Sequence, residues 1–113
     1  MINCDSIKKF KKGALLINTA RGALVNTDDL IKAIDDKTIL GAGLDVIEGE
    51  ELLVEENIFN SPIEKAAKLI VNSKILLDNE NVVITPHNAF NSIEAVNRII
   101  YTTIENIKKF DRI

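Results

Sequence analysis

Residues 13–22 read Gly13-Ala14-Leu15-Leu16-Ile17-Asn18-Thr19-Ala20-Arg21-Gly22. Ala14 to Ile17 is a short, continuous apolar run between turn residues, the pattern of a strand buried on both faces in a parallel sheet. A polar turn follows, then Asn26-Thr27-Asp28-Asp29, a capping residue with two acids where a helix dipole favours them. Leu30, Ile31, Ala33 and Ile34 give that helix one apolar face. The pattern then recurs. Gly41-Ala42-Gly43-Leu44-Asp45-Val46-Ile47 reads as a second strand over 42–47, entered through glycines. Val82-Val83-Ile84-Thr85 reads as a third, β-branched throughout and ended by Pro86. Strands alternating with helices predict βαβ units, with the three strands parallel neighbours in chain order and right-handed crossovers.

The remaining helices announce themselves by their ends. Asp5 is the expected cap of a helix over residues 5–11, with Gly13 as its stop. Ser61-Pro62-Ile63-Glu64 predicts another, with Ser61 as cap, Pro62 in the first turn and Glu64 closing a capping box. Asn91 or Ser92 caps the last helix, whose apolar positions Ile93, Val96, Ile99, Ile100, Ile104, Ile107 and Phe110 form one stripe.

Composition narrows the function classes. The chain has 113 residues, enough for one domain and too few for a typical two-domain enzyme. Hydrophobic residues make up 46% and charged residues 27%, a globular rather than a disordered profile. The net charge of −3 is spread over interspersed acids and bases, with no basic patch for nucleic acid or an anionic membrane. No apolar run approaches the roughly 20 residues that cross a bilayer. The lone Cys4 excludes an internal disulfide and a cysteine metal cluster, so no metal is expected. It also fits a reducing, cytoplasmic setting.

Four side chains could carry chemistry. Arg21 directly follows a strand, where open parallel sheets bind ligands, and a guanidinium there suits bidentate capture of a carboxylate. Gly22 would let a ligand approach the backbone. Asp45 lies in an otherwise apolar run and needs a partner, for which a cofactor amide or a backbone N–H would serve. Glu50 follows it by five residues, and His87, the only histidine, ends the third strand. Taken singly, each also reads plainly as a surface arginine, a solvated loop acid or a structural histidine. Together they fall at the carboxyl ends of successive strands, which a parallel sheet gathers along one rim. An arginine for anions beside an acid–histidine pair is a kit for reducing a 2-keto acid.

With these motifs in order, the chain resembles the D-isomer-specific 2-hydroxyacid dehydrogenases. The likeness runs through residues 12–22, Gly43-Leu44-Asp45-Val46, Gly49-Glu50 and Ile84-Thr85-Pro86-His87. Within the family, the Glu48-Gly49-Glu50 segment and the Pro86-His87-Asn88-Ala89-Phe90 run are most similar to fermentative D-lactate dehydrogenases. The resemblance implies the C-terminal half of a Rossmann-like doubly wound sheet, three strands with crossover helices, plus a long C-terminal helix. Residues 1–90 would be that half domain, and residues 91–113 a helix returning to a substrate domain absent here. Arg21 would hold the substrate carboxylate and carbonyl. His87 would donate the proton as hydride arrives from NAD, and Glu50 would orient His87 and favour its protonated form. Thr19, Ala20 and Arg21 would lie along the cofactor, with Asp45 on the nicotinamide carboxamide.

The chain also departs from the family. Asn26 stands where an aspartate is usual, Asn91 where an aromatic is common, and residues 51–80 diverge. The Gly-x-Gly-x-x-Gly turn and the ribose-binding acid do not occur in this sequence. Relatives often carry a Met-Ile-Asn run just before the matched region, so Met1 reads as an internal methionine of a truncated or split gene or of a fragmentary gene model, and the isolated chain as inactive. It would associate with itself, as in the family's usual homodimer, or need the remaining half. The alternative is a non-catalytic regulatory or complementing module of the same origin.

Overall fold

The computed structural model describes residues 1–53 and 62–110. In chain order the elements are α1 (Cys4–Ile7), β1 (Ala14–Asn18), α2 (Thr27–Asp35), β2 (Ile39–Leu44), α3 (Ile63–Leu77), β3 (Val82–Ile84) and α4 (Ile93–Phe110), with 3-10 turns at Gly22–Leu24 and Glu50–Leu53. The sheet has the order β1-β2-β3 and both pairings are parallel. Ile17 lies opposite Gly43, and Leu44 opposite both Asn18 and Ile84. This is the α/β architecture, with helical crossovers and a C-terminal helix, expected from the alternation of patterns.

The crossovers α2 and α3 pack on each other and on the sheet, so both cover the same side of it. Between them sits the core: Leu16, Ile39, Ala42 and Leu44 from the strands, Leu30, Ala33 and Ile34 from α2, and Leu76 from α3. The opposite side corrects the expectation of a strand buried on both faces. Leu15 and Ile17 are 73% and 75% exposed, and Val83 and Leu40 are exposed beside them. A continuous apolar run fits either burial pattern, and no described helix lies over that face. α4 likewise buries none of its residues, so Ile93, Ile100, Ile104 and Ile107 are exposed.

Element boundaries differ from the expected ones for local reasons. α1 is capped by Asn3 rather than Asp5: its side chain accepts from the Asp5 and Ser6 N–H groups, and Ser6 answers the Asn3 N–H in a capping box. The helix ends at Ile7, well before Gly13, whose φ of +85° instead turns the chain into β1. β2 begins at Ile39, with its glycines inside the strand. A Cβ on Gly41 would lie 2.6 Å from the Asn81 carbonyl oxygen, so the glycine serves a close backbone approach at the entry to β3. β3 stops one residue short, although the Thr85 N–H still reaches Leu44 O at 3.0 Å. Asn26 caps α2 as expected, accepting from Asp29 N, and Ser92 caps α4, accepting from Ala95 N. Pro62 is the residue before α3 rather than its first, its carbonyl accepting from Lys65 and Ala66. Ser61 lies outside the described residues.

Candidate active site

The carboxyl ends of the three strands lead into the loops that carry every residue singled out above. At the end of β1, Asn18 is buried and folds the next turn onto itself. Its amide donates to Arg21 O at 2.9 Å and its carbonyl accepts from Ala20 N at 3.1 Å. Thr19, Ala20 and Arg21 are left exposed on that turn. The Arg21 guanidinium donates to Ala20 O at 2.7 Å, its one bond among the described residues, so most of its donors remain open. Gly22 corrects the reading of a glycine that admits a ligand. A Cβ there would lie 2.1 Å from the Ile47 carbonyl oxygen and 2.7 Å from Glu48 N, so the space is taken by protein backbone.

Asp45 follows β2 and is 4% exposed. Its Oδ1 accepts from the Thr85 hydroxyl at 2.5 Å and from Asn88 N at 2.8 Å, and its Oδ2 from Ala89 N at 2.8 Å. Its backbone carbonyl accepts from His87 N at 3.0 Å. One carboxylate thus holds both sides of the turn that presents His87. The Thr85 hydroxyl above all, then the Ala89 and Asn88 N–H groups and nearby His87, hold the Asp45 carboxyl below the usual aspartate value, outweighing burial. Of the partners weighed for this buried acid, backbone N–H groups are present. The sequence assigned Thr85 no role beyond its place at the end of the third strand and in the Ile84-Thr85-Pro86-His87 motif.

His87 has φ of +50°, in the left-handed region that few side chains adopt. The clamp from Asp45 is what over-determines that conformation. Its Nδ1 lies 3.3 Å from Glu50 Oε1, with the imidazole half exposed and the carboxylate 30% exposed. The other Glu50 oxygen accepts from Ile47 N at 3.4 Å. With Nδ1 on the carboxylate, Nε2 is left to meet a bound molecule. Glu50 and His87 therefore come together as expected from the strand ends. Arg21 and Thr19–Ala20 stand at the end of the adjacent strand and make no bond to that pair.

A cavity of about 420 Å³ lies elsewhere, between the start of α2 and α3. Its lining includes Asp28, Glu48, Lys68 and Asn72 but none of Arg21, Glu50 or His87. In it Glu48 accepts from Thr27 N, and Lys68 and Asn72 both bond to Asp28. Those partners, Lys68 first, hold the Asp28 carboxyl below its usual value.

Residues 1–89 match the family described as D-isomer specific 2-hydroxyacid dehydrogenase, NAD binding domain. Over 110 residues the chain is 36% identical to a D-lactate dehydrogenase of Lactiplantibacillus plantarum, covering 97% of this chain and 32% of that one. It is 38% identical over 112 residues to a D-specific alpha-keto acid dehydrogenase of Enterococcus faecium, covering 99% and 33%. Among solved structures it is similar to D-lactate dehydrogenase of Aquifex aeolicus, complexed with NAD and lactic acid. The TM-score there is 0.78 and the identity 37%, over 99% of this chain and 33% of the other. The chain thus spans about a third of the length of the relatives it matches.

Proposed function

This chain belongs to the D-isomer specific 2-hydroxyacid dehydrogenase family, and on that premise we propose that it carries the acid–base and carboxylate-binding groups of an NAD-dependent dehydrogenase. The reaction would reduce a small 2-keto acid such as pyruvate to the 2-hydroxy acid. One observation carries the reading: His87 Nδ1 lies 3.3 Å from Glu50 Oε1 on the rim that also bears Arg21.

The donor set suits the cofactor's reactive end. Thr19 offers a hydroxyl on an exposed residue beyond β1, with Ala20 exposed beside it. Asp45 Oδ2 takes one N–H among the described residues and has acceptor capacity left for a carboxamide. Thr19, Ala20, Arg21 and Asp45 would therefore hold the nicotinamide portion. When bound, that group supplies hydride to the carbonyl carbon. Arg21 would pair with the substrate carboxylate and orient the carbonyl. His87 would deliver the proton to the carbonyl oxygen from Nε2, so one hydride and one proton convert the ketone to the alcohol. Glu50, on Nδ1, would fix the ring and support its positive charge.

The division into residues 1–90 as half a cofactor domain and a helix over 91–113 belongs to the same reading, as does a cytoplasmic setting. Among the described residues no helix is long and apolar enough to cross a membrane. The test is NADH-dependent reduction of pyruvate, with absorbance at 340 nm as readout. The 113-residue chain alone should show none, because its sequence has no Gly-x-Gly-x-x-Gly turn to grip a pyrophosphate. Supplying the other two thirds of a family member should give turnover. His87→Gln should then lower kcat by about 10²–10⁴-fold, the usual worth of a general acid. Turnover by the chain alone, or a reconstituted enzyme indifferent to His87, would refute the proposal. NADH binding without any turnover on reconstitution would favour a non-catalytic module.

A further inference from the structure

We infer that Glu48 is a positioning residue: it ties the start of α2 to the loop 46–50 and thereby holds Glu50 against His87. The inference rests on the reading of Glu50 and His87 as the acid–base pair. Glu48 Oε2 accepts from Thr27 N at 2.8 Å, across 21 residues of sequence. Thr27 is 6% exposed, so that N–H has no ready replacement in water. α2 already has a local cap in Asn26, which takes Asp29 N. A second acceptor brought in from a distant loop therefore fixes the loop as much as the helix.

Ile47 carries the constraint onward. Its carbonyl faces Gly22 at a distance that tolerates no side chain, which sets the Arg21 turn directly on the 46–48 backbone. The same carbonyl accepts from Glu50 N at 3.1 Å, and the Ile47 N–H donates to Glu50 Oε2. The free Glu50 oxygen is then aimed at His87. Helix start, Arg21 turn, Glu50 and His87 are thus joined through one short loop, and Glu48 is its polar anchor.

The chain holds a single histidine, so its carbethoxylation by diethyl pyrocarbonate at fixed pH reads His87 alone. Glu50→Gln should speed that reaction by about fivefold, the factor expected when one hydrogen-bonded contact of partly exposed groups is lost. Glu48→Ala should speed it to a similar degree, and the double variant should go no faster than either single one. Glu48→Gln keeps an acceptor for Thr27 N and should react at the wild-type rate. A wild-type rate in Glu48→Ala together with a lowered thermal midpoint would make Glu48 a helix cap only and overturn the inference. A wild-type rate in Glu50→Gln would show that Glu50 and His87 do not meet in solution, which removes the proposed acid–base pair as well. The two failures are therefore distinguishable.

Discussion

Asp45 is the residue on which the turn presenting His87 depends. Its folded-state carboxyl sits below the usual aspartate value, chiefly because the Thr85 hydroxyl donates to it. A lowered value means that its stabilisation is complete above about pH 4 and is lost as pH falls through the folded-state value. Asp28, held down by Lys68 and Asn72, contributes in the same direction. Urea unfolding at pH 7 and pH 3 should therefore show the chain less stable in acid. Asp45→Asn should lower stability at pH 7 and shrink the difference between the two pH values. An unchanged difference would mean that the clamp on residues 85–89 does not form. At this scale the sequence was informative about polarity and position, and less so about partners. Strand ends gathered Arg21, Asp45, Glu50 and His87 on one rim, and the family resemblance implied that Glu50 is the acid that meets His87. No role for Glu48 could be read from its acidic stretch, since its partner, the Thr27 N–H, is brought near only by folding. Gly22 likewise suggested a close approach without saying that Ile47 makes it.

Among the elements, α2 and α4 look alike in sequence, since both carry an apolar stripe at helical spacing. They differ in what meets the stripe. Leu30 on α2 is 1% exposed between sheet and helices, whereas Ile104 on α4 is 42% exposed. Leu30→Ala should cost about 2–5 kcal/mol of unfolding free energy, transfer and cavity terms together. Ile104→Ser should change it by no more than about 0.5 kcal/mol, as at ordinary surface sites. Chemical denaturation of both variants checks this, and equal losses would mean that α4 is packed in solution. The stripe was legible, but its cover was not, because periodicity records which face is apolar and nothing about what lies opposite. For the same reason β1 was found at its observed limits while its outer face was misjudged. β2 was placed late because glycines usually mark turns, whereas here they make room for Asn81 and leave open the face beside Ile17.

The molecule as a whole is extended, with a radius of gyration of 17.9 Å against about 13 Å for a compact chain of this size. Among the described residues its bare apolar surfaces include the outer sheet face at Leu15, Ile17, Leu40 and Val83, part of α3 at Ile70, Val71 and Leu77, and the stripe of α4. β1 and β3 are the sheet edges. Apolar patches of that kind and unpaired strand edges draw other chains. Size-exclusion chromatography with light scattering should find the purified chain associated at micromolar concentration. Adding the other two thirds of a family member should return it to a defined complex. A monomer across that range would show these surfaces to be covered.

The sheet order repeats the chain order, β1 then β2 then β3. Each strand thus docks on the one made just before it, and its crossover helix closes over the pair at once. Among the described residues each strand pairs with its neighbour in sequence, so the loop-closure entropy for each step grows only with the length of one crossover. Synthesis can lay these three strands down one after another as the segment emerges. The Glu50–His87 contact spans β2 to β3 and is set only with the last strand, so the pair is assembled at the end of the process.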